Sequence, residues 1–471
     1  MINDPVLMDP RSSLKKYPRE DNAFKQKGSL NFDLLRTKIF REREKPRFYE
    51  GQLYLALMLL GFLTGFVASL MALGEDLLFG VKVNLTNRII GGELENMAWA
   101  YIYWVCYSVG FAFIGSVLCV YWAPQSTGSG MAELMCIING IRIPNFFTIP
   151  VLVTKCVAVV CAEVSGLCVG QEGPLAHIGA SIAMSVVHLP IRAFAHFRND
   201  KTKRFFITAG VAAGIASAFG SPVGGALIAY ELSKPNTFFK MSTLWKLFLT
   251  ASISVLTLAA FTDIWDTANG QKVWAVQTSV LKFGYVGLTN PTFETILPAI
   301  ILGVVCGLLG VFFIVVQSYM GMFRKNFVKI RWLKPIETTL ICFFTASFFF
   351  WAPYLSSEEC LLTSGLTHLA KELATQYNCP EGEYSPLATL FFSTEGSVVR
   401  GIISGFEPPE DGLGGLELNA RHMFVFFSIW YLCTIVTYGV NIPGGLFLPG
   451  MIIGCALGSC YETLRINWFD G

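Results

Sequence analysis

Charge is scarce in this chain. Only 14% of its 471 residues are Asp, Glu, Lys or Arg, while 53% are hydrophobic. So little ionic surface does not suit a soluble multidomain protein and predicts a polytopic membrane protein. The charges nearly cancel, 35 basic against 33 acidic, for a net +2. That balance gives no electrostatic footprint for nucleic acid. Histidine is rarer still, with five at positions 177, 188, 196, 368 and 422. They form no HExxH motif, and no Gly-x-Ser-x-Gly elbow occurs, so the reading as a membrane-embedded hydrolase lacks its chemistry. The first 50 residues are polar and hold no apolar h-region, so they do not read as a secretory signal. They carry 12 Lys/Arg, among them Lys15, Lys16, Arg41 and Arg43, against 8 Asp/Glu. A basic excess before the first span predicts a cytosolic segment, residues 1–47.

What is abundant is apolar sequence cut at intervals by glycine. Spans are expected near residues 52–73, 98–122, 150–170, 244–262, 296–318, 336–353 and 422–440, each near the roughly 20 apolar residues a bilayer needs. Asn84-Leu85-Thr86 matches a glycosylation pattern but sits too close to the first span for good access. Between Phe205 and Tyr230 small residues dominate, and Gly220-Ser221-Pro222 predicts a split into two short helices. His196–Arg204 and Arg324–Lys334 are charged and belong in water, the second on the cytosolic side. The expected organisation is a first transmembrane half at 48–265, a polar loop from Asp263 to Thr289, and a second half at 290–471. That second half carries a long polar insertion at 355–420. Eleven of the 13 cysteines lie in apolar segments and read as small hydrophobes. Cys360 and Cys379 lie in the insertion, and a disulfide between them is open if that loop faces a lumen or the outside.

Three breaks share one design. Gly128-Ser129-Gly130, Gly170-Gln171-Glu172-Gly173-Pro174 and Gly444-Gly445-Leu446-Phe447-Leu448-Pro449 each interrupt apolar sequence, and each is followed by a helix start. Unwound backbone at membrane depth is tolerated only where it lines a cavity or is buried in protein. Paired breaks in two halves of a chain point to a transport site near the midplane. Pro174 fits a first helical turn, which places Glu172 at the mouth of a helix beginning near Gly173. A helix mouth offers free N–H groups and partial positive charge, so it suits an anion. An ionisable residue at this depth is costly and marks function by default.

At these motifs the chain resembles the CLC family of chloride channels and chloride/proton antiporters, whose patterns are GSGIP, GKEGP or GREGP, and GxFxP. The likeness runs from about residue 48 to the end. The stretch Tyr377–Tyr384 followed by Ala388–Phe392 is most similar to the late-endosomal and lysosomal branch. The resemblance implies an all-α fold of two inverted halves built from tilted and broken helices, working as a homodimer, with an accessory subunit open. It implies that Ser129 donates its hydroxyl to chloride and that the N–H groups of Leu446 and Phe447 face the same ion. Glu172 would be the gate, vacating an anion position when protonated. Lys155 would give the path positive potential. Chloride is then the substrate, no cofactor is implied, and the protein belongs in the membrane of an acidic organelle rather than the plasma membrane.

Four departures qualify the likeness. Ala132 replaces the family proline, and Gln171 replaces a basic residue beside the gate. In Tyr230-Glu231-Leu232-Ser233 the position of the antiporters' internal proton acceptor is Leu232. Against the family pattern the second half is incomplete: the chain stops within the helix opened by Phe447, before the family's last helices, the pore tyrosine and the CBS domains. Glu231 reads either as a rim residue or as part of a proton path. Glu163 reads as a partner for Lys155, eight residues earlier on a similar helix face, or as a second proton stop. His177 reads as a packed, hydrogen-bonded histidine. The expectation is a passive chloride channel gated by Glu172. A chloride/proton antiporter is the alternative, and a non-conducting partner subunit is a remoter one.

Overall fold

The computed structural model describes residues 49–91, 97–234, 241–268, 296–356, 360–366, 368–380, 382–404 and 415–469. The basic N-terminal segment and most of the loop expected at Asp263–Thr289 lie outside them. The first helix, α1, runs Tyr49–Gly91. The sequence predicts a span ending near residue 73, but no proline interrupts the turns beyond it, and the helix continues through Lys82. At 43 residues it is about 65 Å long. Asn84 therefore lies in a helix, and the Thr86 hydroxyl donates to Lys82 O at 2.7 Å.

Helix α2 spans Met97–Val117 and passes into a π-turn at Leu118–Trp122 before Pro124 stops it. Helices α3 (Met131–Ile138) and α4 (Ile149–Ser165) follow. The apolar run to Gly170 predicts a full span, and the structure corrects this. Gly166 takes a left-handed φ of +80° that closes α4 after 17 residues, about 26 Å and short of the roughly 30 Å hydrocarbon layer. Next come α5 (Glu172–His188), α6 (Asp200–Phe219), α7 (Pro222–Ser233) and α8 (Met241–Ala268). The Asn199 side chain accepts from Lys201 N to cap α6, and Ser221 Oγ accepts from Gly224 N to cap α7. The break between α6 and α7 falls at Gly220-Ser221, where the sequence places it.

In the second half, α9 is Ile296–Phe327 and α10 is Leu333–Leu355. A small hairpin pairs β1 (Leu361–Leu362) with β2 (Glu383–Tyr384), antiparallel, with Leu361 opposite Tyr384. The Cys360–Cys379 disulfide is formed beside it, with α11 (His368–Leu373) inside the loop. Helix α12 (Pro386–Phe391) is buried along its whole length, and α13 (Glu395–Ser404) follows. These two sit in the stretch read as a polar insertion, yet Leu387, Phe391 and Val399 belong to the core with Phe349, Phe426 and Trp430. Helices α14 (Ala420–Thr437) and α15 (Phe447–Phe469) complete the described chain.

Seven of the described helices are long and apolar enough to cross a membrane. Helices α4 to α7 are not among them, and of these α5 and α6 are the most enclosed. A Cβ at Gly210 would run into Gly179 O, so α5 and α6 touch backbone to backbone. One core gathers α1, α5 and α6. A second gathers α2, α10, α12, α14 and α15. The broken segments lie where these two bodies meet. The chain is an all-α, multi-pass membrane protein.

Candidate functional site

The three glycine breaks converge on one junction. Gly170 N–H donates to Gly445 O at 3.0 Å, and Gly445 N–H donates back to Gly170 O at 2.7 Å, an antiparallel bridge outside any sheet. Gly128 N–H donates to Ile442 O at 3.2 Å. A Cβ at Gly173 would lie 2.7 Å from Ser129 Cβ and 3.6 Å from Gly445 Cα. Ser129, Gly173 and Gly445 therefore touch, and any side chain at Gly173 would wedge them apart. The starts of α3, α5 and α15 share this point, and each contributes N–H groups that have no acceptor within its own helix.

Glu172 is the first residue of α5 and is 3% exposed. Its carboxylate folds back over Gly170, and Oε2 occupies the space a Cβ there would need. Leu448 Cβ lies 2.9 Å from the same position. The carboxylate is thus held between its own loop and the first turn of α15. Gln171 beside it is buried and neutral, so the neighbouring position in the chain adds no positive charge, and the helix ends supply favourable potential at Glu172.

Ser129 Oγ accepts from Met131 N at 3.4 Å. That bond uses a lone pair and leaves the hydroxyl proton available for donation. Gly128 and Gly130 both take positive φ, +68° and +79°, which turns the chain around Ser129. The turn is seated on Lys155, which is 1% exposed. Its Nζ donates to Gly128 O at 3.0 Å and Ser129 O at 3.2 Å, and it meets His177 Nδ1 at 2.9 Å. His177 Nε2 lies 3.0 Å from Phe146 O, which can only accept, so Nε2 carries the ring proton and Nδ1 accepts from Lys155. The imidazole stacks on Phe146 at 3.9 Å. All three ammonium protons of Lys155 are directed to these partners. The expected pairing of Lys155 with Glu163 does not form. Eight residues is about 12 Å along a helix, and Lys155 is committed at the other end of that distance.

Glu163 instead lines a cavity with Lys82, Glu75 and Glu395. Glu231 is exposed near the C-terminal end of α7, and Leu232 is half-buried beside it. The structure does not bring Glu231 to the junction. Phe447 is 53% exposed and its ring packs edge-on to Phe219 at 4.8 Å. Leu446 precedes it as the α15 cap, and Pro449 sits within the first turn as Pro174 does in α5. Sequence reasoning missed Lys82. Its signal was a lone lysine in the run Leu77–Thr86, within a helix read as already finished.

Against known proteins, a model described as the voltage gated chloride channel family matches residues 110–471. The chain is 29% identical to human H(+)/Cl(−) exchange transporter 7, over 99% of this chain and 58% of that protein. It is 30% identical to chloride channel protein CLC-b of Arabidopsis thaliana, over 85% of this chain and 51% of that one. The chain thus spans little more than half the length of these relatives. Among solved structures, a eukaryotic CLC transporter aligns with a TM-score of 0.62 at 20% identity, covering 89% of this chain and 61% of that one. A slow cyanobacterial Cl−/H+ antiporter aligns at 0.64 and 16% identity, over 89% and 81%. With three quarters of its length matched by the family model and this architecture around the junction, the chain belongs to the voltage gated chloride channel family.

Proposed function

We propose that the junction is the ion path of a chloride transporter and that Glu172 is its gate. The observation that carries this is the convergence of three helix starts on one buried carboxylate. A dehydrated chloride needs donors and positive dipole ends without a full countercharge that would trap it. The Ser129 hydroxyl and the N–H groups of Leu446 and Phe447 supply such donors. Lys155 contributes positive potential while its own hydrogen bonds hold the Ser129 turn in place. When ionised, the Glu172 carboxylate occupies the anion seat; when protonated it loses its charge and yields the seat to chloride.

Chloride movement is coupled to protons in this reading. Two features support it: a gate that must take up a proton to open, and likeness to a relative named for H(+)/Cl(−) exchange. A passive channel is the second reading, favoured by Leu232, which cannot hold a proton on the side of Glu231. As a homodimer in an acidic organelle, such a protein would bring together the outward apolar side chains of α7 and α8, among them Leu227 and Leu256. The deciding experiment loads the protein into liposomes and imposes a chloride gradient. Uphill proton movement is expected, and chloride flux with no proton movement would leave only the passive reading.

A further inference from the structure

Helix α9 is long and apolar, yet two of its polar side chains are spent on the end of α14. The last four carbonyls of a helix have no partner within it. At the end of α14 all four are met. Tyr438 N–H donates to Thr434 O at 3.0 Å, and Val440 N–H donates to Thr437 O at 3.3 Å. The two carbonyls between them are taken by α9. Gln317 Nε2 donates to Ile435 O, and Arg324 Nη2 donates to Val436 O at 2.6 Å. Arg324 Nη1 reaches past the helix end and donates to Tyr438 O at 2.5 Å. Gln317 and Arg324 stand about two turns apart, on one face of α9. No residue of α9 is buried, and what the helix contributes here is donors.

The guanidinium is itself held. Its Nε donates to Glu337 Oε1 of α10 at 2.6 Å, and the two side chains are 10% and 16% exposed. Gly439 makes room for it, with φ +89° and a Cβ position only 2.8 Å from Nη1. Arginine suits the place because its planar fork serves several acceptors in fixed directions, and its charge complements a helix C-terminus. From Tyr438 the chain runs on to the third glycine break. Ser116 Oγ donates to Asn441 O at 3.2 Å, Gly128 N–H to Ile442 O at 3.2 Å, and Gly170 N–H to Gly445 O at 3.0 Å. Leu446 and Phe447 follow directly. The segment from Val436 to Gly445 is thus pinned at its helix end by α9 and along its length by the first half of the chain.

We infer that Gln317 and Arg324 are positioning residues that set the anion seat, by fixing where the end of α14 delivers Leu446 and Phe447. This rests on the reading that the N–H groups of those two residues face chloride. Both side chains act through the backbone between Val436 and Gly445 rather than on the ion. Opening the helix end at Ile435 or Val436 lets that backbone shift, and donors aimed at one point then diverge. The other break is anchored in a like manner. Lys82 Nζ donates to Val164 O at 3.1 Å and Ser165 O at 3.4 Å, the last carbonyls of α4, ahead of the loop that carries Glu172. Each helix leading into the Gly170–Gly445 bridge therefore ends on a cation from another element.

The test uses two variants. Gln317→Leu keeps the bulk of the side chain and removes its donor. Arg324→Lys keeps the charge opposite Glu337 and gives up the fork. In the purified protein, hydrogen–deuterium exchange across residues 438–447 should quicken about fivefold in each, the equivalent of one hydrogen bond of about 1 kcal/mol, with exchange in α6 unchanged. In liposomes, the chloride concentration for half-maximal efflux should rise by a similar factor while the maximal rate per folded protein holds. Exchange unchanged across 438–447 overturns the proposal and leaves the seat reading untouched. Exchange that quickens equally in α6 marks a general loosening and overturns it too. Faster exchange at 438–447 alone, with half-saturation unchanged, keeps the anchor and refutes the placement of chloride at Leu446 and Phe447.

Discussion

Lys155 is the residue whose role changes most between sequence and structure. Its place in the sequence suggests a charge beside the path; its three hydrogen bonds make it the seat of the Ser129 turn as well. Lys155→Met orphans two carbonyl oxygens and the His177 Nδ1 lone pair in a buried setting. Each orphan costs about 1–3 kcal/mol. The variant is expected to unfold at lower temperature in detergent, and an unchanged midpoint would show that the seat is not needed. Gly173 is the complementary case. A methyl there meets Ser129 Cβ at 2.7 Å, tighter than side chains pack. Gly173→Ala should cost about 1–3 kcal/mol of overpacking and reduce chloride flux per folded protein by displacing the hydroxyl. Normal flux at normal expression would contradict the contact. The histidine was legible as packed, but its tautomer was not, because Phe146 O is 31 residues away in sequence.

At the level of elements, the helix starts were the most readable feature. Glycine and proline punctuate α3, α5 and α15 by local backbone chemistry, which needs no knowledge of the fold. Helix ends read less well. The end of α4 turned on one left-handed glycine, Gly166, inside a run of apolar residues. The extension of α1 past residue 73 depended on burying Lys82 against α4 carbonyls, a contact between residues 82 positions apart. Residues 386–404 read as loop because Pro386, Ser393 and Glu395 break the hydropathy, yet tertiary packing against Phe349 and Trp430 makes them core. The Cys360–Cys379 bridge closes a segment of 19 residues beside the β1–β2 hairpin. By loop-closure entropy it stabilises that segment by about 3 kcal/mol. Cys360→Ser should make residues 360–384 the first site of proteolytic cleavage, and equal resistance with and without the bridge would refute this.

Across the whole molecule, the pattern is long helices around short ones. Helix α9 has no buried residues and carries exposed Leu297, Ile300, Val304, Leu308 and Val311 along its length, as a lipid-facing helix does. The interior is left to α5, α6 and α12 and to the breaks, where unwound backbone is shielded from lipid by protein. The convergence of distant motifs was legible only through resemblance, because periodicity does not report which breaks meet. A protein so built brings the starts of α3, α5 and α15 together beside Glu172. Burying an ionised carboxylate there is costly, and in the proposed mechanism its protonation is the step that frees the seat. The direct test is chloride efflux from liposomes measured across pH for the unmutated protein and for Glu172→Gln, whose neutral amide stands in for the protonated acid. Efflux is expected to rise as pH falls in the unmutated protein and to be fast and independent of pH in the variant. Efflux that keeps its pH dependence in Glu172→Gln would contradict the assignment of the gate.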